Sequence, residues 1–277
     1  MKNLLSGEQI ADYQQNGFIL IEDFLSSTEL EDWRRAVIGA VEERAGKKMP
    51  GKEIIIGEDD GINEDADYYG KVFDQLLNLW QSSETVKKLM IDERIGKMAA
   101  LLAGVDGIRI WHDQALIKRP WANPTAWHLD TPFWSFSDRN AISIWVALDD
   151  ATLENGCLFF IPGSHTQTNF DKITIGRNMD SIFDVYPQLR GTMPVSAPMK
   201  AGSCSFHNGL TVHGANANMT SGFRRAMTCS YMPEGNTFNG EPNILPDAYL
   251  RNLKIGDPLN NDKQNPLIYP ASGNMNG

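Results

Sequence analysis

The sequence predicts a mainly β protein, a sandwich or barrel with helices flanking it. After Gly107 the chain runs through short aromatic and β-branched segments (IRIWHDQALIK, TAWHLD, AISIWVALDD, CLFFIPGSH, SCSFHN, LTVHG and RRAMTCSYMP) separated by Gly, Pro and Asn, the rhythm of an antiparallel all-β core. Before it, apolar residues recur mostly at helical spacing. A length of 277 residues with 42% hydrophobic content suits a single core with embellishments, large enough to bury a substantial interior.

In chain order, Ser6 with Gln9 reads as a helix start, Ile10 and Tyr13 as its buried face and Gly17 as its stop, after which Phe18 to Phe24 reads as a strand. Ser26 with Glu29 opens a second helix that carries Leu30, Trp33, Val37 and Val41 and ends by Gly46. Residues 47–67 lack periodicity and are expected to form a loop. Val72 to Leu79 and Thr85 to Leu102, with Gly104 as a stop, are expected to be helical. The chain therefore divides into a mainly helical region (1–105), a β core (106–235) and an extension (236–277). Residues 166–200 interrupt the core as a long polar connection, more often a lid than an idle loop.

Several function classes fall away on composition. A formal charge of -10 without acidic or basic runs argues against nucleic acid or an anionic membrane as the main partner. No apolar stretch approaches a membrane span. Cys157, Cys204 and Cys229 are odd in number and lack C-x-x-C spacing, so neither a disulfide framework nor a zinc knuckle is expected and a reducing cytoplasm fits. The N-terminus lacks the apolar core of a signal peptide and reads as mature protein.

Chemistry concentrates in the β region. His128 and Asp130 stand two apart on an expected strand, so both side chains face one side, and His213 lies on a later one. Two histidines and a carboxylate leave half of an octahedron open, the set used by non-haem Fe(II) oxygenases. Taken singly, the pair also fits a histidine satisfied by a surface carboxylate, and His213 an edge-strand histidine. Arg224, eleven residues after His213 across GANANMTSGF, adds a guanidinium fork suited to a carboxylate. His112, His165 and His207 compete as ligands but none fits as well, and His207 lies seventeen residues before Arg224, too far for the spacing.

These strings resemble the phytanoyl-CoA dioxygenase family of Fe(II)- and 2-oxoglutarate-dependent oxygenases. The likeness runs through LSGEQIADYQQNGFILIEDFLSSTEL, WHLD, DDATLENGCLFFIPGSH, KAGSCSFHNGLTVHGANAN and GFRRAMTCSYMPEG. It implies a double-stranded β-helix (jelly-roll) core with the helical region packed on it. It implies iron on His128, Asp130 and His213, and the distal carboxylate of 2-oxoglutarate on Arg224. Trp145, Gln114 and Lys71 match further positions around the co-substrate. Dioxygen is the implied oxidant, ascorbate a stimulant, and hydroxylation of a small metabolite with release of succinate and carbon dioxide the implied reaction. Leu129 stands where some members have Gln, and Ala215 where Ser is common. Asp130 itself argues for oxygenation over halogenation.

Trp121, Trp134 and Phe136 flank the ligand segment and are candidates for an apolar substrate pocket or for core. An acyl-CoA ester would want a basic mouth, which Lys118, Arg119, Arg139, Arg177 and Arg190 could supply, whereas the acidic balance favours a small metabolite with little phosphate. Two rival readings stand beside this one: a metal-dependent oxygenase that uses no 2-oxoglutarate, and a non-catalytic metal-binding barrel. Oligomeric state is not legible.

Overall fold

The computed structural model describes residues 1–52 and 66–270. Most of the loop expected over 47–67 and the last seven residues of the extension therefore lie outside the described residues.

Among the described residues, eleven strands form two sheets. They are β1 (Phe18–Ile21), β2 (Asp74–Leu77), β3 (Ile108–Lys118), β4 (Thr125–His128), β5 (Ile142–Ala147), β6 (Leu158–Phe160), β7 (Val195–Ala197), β8 (Cys204–Asn208), β9 (His213–Ala215), β10 (Arg224–Pro233) and β11 (Leu267–Tyr269). The major sheet runs β1-β8-β5-β10-β3-β11, with β2 also pairing β3, and the minor sheet runs β4-β9-β6-β7. All pairings are antiparallel. Strands that are distant in sequence lie side by side, the jelly-roll arrangement that the family resemblance implies.

Helices α1 (Gly7–Asn16), α2 (Ser27–Arg44), α3 (Ala66–Tyr69), α4 (Glu84–Met90) and α5 (Glu93–Ala103) precede the core, α6 (Ile182–Val185) lies in the long connection and α7 (Asp247–Leu250) in the extension. Both expected helix starts are present as complete capping boxes, Ser6 with Gln9 and Ser26 with Glu29. Trp33, Val37, Met98 and Leu102 pack onto the outer face of the major sheet with Ile110, Ile144 and Phe206. That face is thus covered, and the inner face is left to line the barrel. No helix among the described residues is long and apolar enough to cross a membrane.

Two expectations need correction. Val72 to Leu79 is not helical: Asp74–Leu77 is a strand on the edge of β3, from Asp74 opposite Ile117 to Leu77 opposite Gln114, and Leu79–Gln81 is a 3-10 turn. Free hydrogen-bonding groups on that edge outweigh a helical apolar spacing too short to sustain a helix. Thr85 to Leu102 is two helices, because the Asp92 side chain accepts from the Arg94 amide and starts a new one.

Phe136 is core rather than pocket. It is fully buried, edge-on to Trp111 at 5.2 Å and tilted against Trp134 at 5.5 Å between ring centroids. Replacing it by alanine is expected to destabilise the fold by about 3–5 kcal/mol, the usual result of deleting a buried aromatic, as read by denaturant unfolding. A change under about 1 kcal/mol would contradict this placement.

Candidate metal centre

His128 closes β4 and lies opposite His213, which opens β9, while Phe160 of β6 flanks His213 on its other side. Antiparallel register alone brings together two imidazoles 85 residues apart, with ring centroids at 4.2 Å. β4 carries an irregularity between Thr125 and His128, and Gly214 lies against it, where a Cβ would stand 2.9 Å from the Thr125 carbonyl. Glycine is required there by close backbone approach.

Asp130 reaches the site by a different route from the one its spacing suggests. It is not on a strand: β4 ends at His128, and Asp130 has helical backbone angles at the start of a 3-10 turn over Thr131–Phe133. The amides of Asp130 and Thr131 both donate to the Gly209 carbonyl, at 3.0 and 3.1 Å, and a Cβ on Gly209 would collide with the Thr131 hydroxyl. That turn returns the carboxylate to the side His128 faces.

The ring tautomers follow from their partners. A carbonyl oxygen only accepts, so His128 Nδ1, 2.8 Å from the Ala126 carbonyl, and His213 Nδ1, 3.0 Å from that of Thr211, carry the protons. Both Nε2 lone pairs are left facing Asp130 Oδ1, at 3.6 and 3.7 Å. The three ligand atoms lie within 4.8 Å of one another. Burial pushes both imidazoles down to about 4, keeping them neutral at physiological pH. Burial also raises the Asp130 carboxyl, but His213, His207 and His128 together outweigh it and hold it below the usual carboxylate range. A neutral, pre-aimed pair of imidazoles with an ionised carboxylate is a donor set that fits Fe(II).

His207, set aside as a ligand on sequence, has a part that spacing did not reveal. Its Nε2 lies 3.3 Å from Asp130 Oδ2, the oxygen turned away from the imidazole pair, and Ser143 Oγ reaches the same oxygen at 3.5 Å. The available signal was its position on the inward face of a fully buried strand. Such outer partners orient a ligand. His207→Phe is expected to weaken iron binding about 10–100-fold with the triad intact, measured by competition with a chelator. Unchanged affinity would show that Asp130 is held without it.

The triad opens into a cavity of about 650 Å³. On the major sheet, Trp145 of β5, Thr228 of β10 and Gln114 of β3 stand abreast in one register row and all line it. Arg224, at the start of β10, is buried and lines the same cavity, with its guanidinium over the Trp145 ring at 5.2 Å. Burial lowers its pKa only to about 10, so it stays charged. Its Nε and Nη1 are buried with no hydrogen-bond partner. Such atoms in a cavity wall require an acceptor, and since the two lie on different edges of the fork a carboxylate meets one of them together with Nη2.

Of the remaining candidates, Trp134 lines the cavity, and Gln114 accepts from Gln75 there. Lys71 is exposed and outside the lining, where Tyr69, Phe73 and Gln75 of the same segment stand instead. Trp121 is corrected outright. It is 66% exposed, with φ at +63° in the turn after β3, which carries its ring to solvent. His112 lines the cavity edge-on to Trp134, and His165 lies outside it, near Gln14.

A family model described as phytanoyl-CoA dioxygenase (PhyH) matches residues 13–226. The chain belongs to the phytanoyl-CoA dioxygenase family. A Caenorhabditis briggsae protein named phytanoyl-CoA dioxygenase domain-containing protein 1 homolog is 23% identical over 273 residues, 86% of this chain and 94% of that one. The crystal structure of the non-heme alpha ketoglutarate dependent carbocyclase SnoK from nogalamycin biosynthesis superposes with a TM-score of 0.75 at 27% identity, covering 95% of this chain and 96% of its own. The epimerase SnoN, in complex with Fe3+, alpha ketoglutarate and nogalamycin RO, gives 0.71 at 26%, covering 94% and 97%. The family is one of Fe(II)- and 2-oxoglutarate-dependent oxygenases, and this member has its jelly-roll fold and a donor set suited to both iron and co-substrate.

Proposed function

We propose that His128, Asp130 and His213 hold Fe(II), that Arg224 takes the distal carboxylate of 2-oxoglutarate, and that the substrate is a small metabolite with little or no phosphate. Bound there with 2-oxoglutarate and dioxygen, iron supplies oxidation of a substrate C–H bond, with release of succinate and carbon dioxide. Trp145 covers one face of the guanidinium, and the Thr228 and Gln114 row forms the wall between Arg224 and the triad. The observation that carries this reading is the pair of unsatisfied Arg224 nitrogens in the same cavity as the triad.

The far walls of the cavity speak to the substrate. Tyr69, Phe73, Phe133, Trp134, Ile175 and Ile244 give it an aromatic and aliphatic lining. Its two outlying charges, Lys52 and Asp247, pair with each other at 3.2 Å. Ile175 belongs to the 166–200 connection, whose Ile173, Ile182, Tyr186 and Leu189 pack with Leu129 and Leu210, which supports its reading as a cover over the site.

The basic mouth that a CoA ester would want has little support. Lys118 is buried on backbone carbonyls, Arg119 pairs with Asp74, Arg139 donates to the Thr168 and His165 carbonyls, and Arg190 pairs with Asp180 and Asp184. None of these, nor Arg177, lines the cavity. The nogalamycin enzymes' place in small-molecule biosynthesis agrees. Three buried, unpaired cysteines support a reducing, cytoplasmic setting.

The test is stimulation of 2-oxoglutarate conversion to succinate by two panels, small neutral aromatic or alicyclic compounds and acyl-CoA esters. Stimulation by the first is expected. Stimulation confined to the second would overturn the substrate reading and leave the iron and co-substrate reading standing.

A further inference from the structure

Two cations stand side by side on the inner face of the barrel. Lys118, the last residue of β3, is the register partner of Arg224, the first of β10, and neither is more than 2% exposed. The Lys118 amine donates to the carbonyls of Asn123 at 2.6 Å and Val72 at 3.2 Å. Its stem runs past Gly156, where a Cβ would stand 2.8 Å from Lys118 Cδ. Val72 precedes Phe73 of the cavity wall, and Asn123 leads into β4.

No carboxylate among the described residues hydrogen-bonds to either member of this pair, although Asp149 acts on Arg224 from a distance. Asp149 is engaged by Arg225 in two contacts of 2.7 Å, and Asp74 by Arg119 at 2.8 and 3.0 Å. Cys157, beside Arg224, is a neutral thiol that burial pushes up to about 11. Tyr68 faces Pro124 with its hydroxyl, and the Asn218 amide caps the Lys118, Arg119 and Gly222 carbonyls. A buried cation without a counter-ion sheds its proton where it can. Arg224 stays charged, whereas burial, reinforced by Arg224, brings Lys118 down to about 6. The protein thus holds a lone guanidinium beside a neutral amine until an anion arrives.

We propose that Lys118 is a positioning residue for the co-substrate: it takes up a proton when the dicarboxylate docks on Arg224, and as an ammonium it places a second positive charge behind the guanidinium. The inference rests on the assignment of Arg224 to the distal carboxylate. The proton comes from bulk solvent and stays on Nζ, and no bond to the co-substrate is made or broken. The free amine is neutral above about pH 6 and the complexed amine is charged, so binding draws in close to one proton at pH 7.5. Affinity falls as pH rises above that point, toward about tenfold per pH unit, and is level below it, where the amine is charged in both states.

Calorimetric titration of 2-oxoglutarate into the anaerobic, Fe(II)-loaded full-length protein, in two buffers of different ionisation enthalpy, counts the protons. The wild type is expected to take up one proton or nearly so at pH 7.5. Lys118→Met should lose the uptake, bind roughly thirtyfold or more weakly at pH 7, because near-complete uptake at pH 7.5 needs more than two pKa units of coupling, and show a level pH profile between 6.5 and 8. Lys118→Arg, charged at every pH, should restore affinity without restoring uptake. Binding by the wild type without uptake overturns the proposal, as does a Lys118→Met protein that keeps the wild-type uptake and profile. If Lys118→Met does not fold, the wild-type and Lys118→Arg titrations decide. Absence of any 2-oxoglutarate binding by the wild type would overturn the assignment of Arg224 as well, which separates the two failures.

Discussion

The His213→Ala protein is expected to fold and to hold no iron. His213 is one of three ligands, and its ring is placed by three independent contacts: opposition to His128 across β4 and β9, the Thr211 carbonyl on Nδ1, and the Phe160 ring 6.0 Å away. Deleting it leaves one imidazole and one carboxylate, too few to close a three-ligand face. The loss should exceed the roughly 10–100-fold that removal of an outer partner such as His207 produces. The fold should survive, because the major sheet and the helices packed on it do not depend on this side chain. Iron content after desalting, beside a far-ultraviolet circular dichroism spectrum, reads both quantities. Full iron retention would mean that another group completes the site, and His207, on the other oxygen of Asp130, would be the group to examine.

The Arg224→Ala protein is expected to show the opposite division: iron kept, 2-oxoglutarate lost. None of the three ligands contacts Arg224 in the hydrogen-bond network, so the donor set should be undisturbed. Removing one partner of a desolvated, charge-assisted pair typically costs about 2–5 kcal/mol, or one and a half to three and a half decades in affinity. Arg224→Lys should recover little of this, since an ammonium at that position cannot form the planar fork that two carboxylate oxygens match. Co-substrate binding by titration, with iron content measured alongside, gives the result. A variant that lost iron but kept 2-oxoglutarate would reverse the assignments of Arg224 and the triad.

Much of this was legible in the sequence, and what was not has identifiable physical causes. The capping boxes at Ser6 and Ser26 and the period-two segments of the core are local signals, and the structure has elements at each of them. The triad was legible as a set, although by a partly mistaken route. Same-face spacing on a strand brought Asp130 to notice, whereas the carboxylate owes its direction to a turn pinned by the Gly209 carbonyl, a contact 79 residues away that periodicity cannot carry. Edge pairing of Asp74–Leu77 with β3 was hidden for the same reason.

Aromatic side chains were the least legible. Trp134, Phe136 and Trp121 are close in sequence and alike in hydropathy, yet one lines the cavity, one is core and one faces solvent. Their separation depends on a positive φ at Trp121 and on Trp111 arriving from another strand beside Phe136. Arg224 was found through its spacing to His213, but its cross-strand neighbour Lys118 was considered only as one of the residues that could supply a basic mouth. Burial by Gly156 and the carbonyls of Val72 and Asn123 reverses that reading.

The most direct test of the central claim is conversion of 2-oxoglutarate to succinate by the wild-type protein under air, with and without Fe(II), beside the His213→Ala protein. Succinate is expected only with iron and only in the wild type, rising when a substrate is supplied. Oxidation of a substrate without succinate, or iron held by the wild type with no decay of 2-oxoglutarate under any substrate tried, would contradict it.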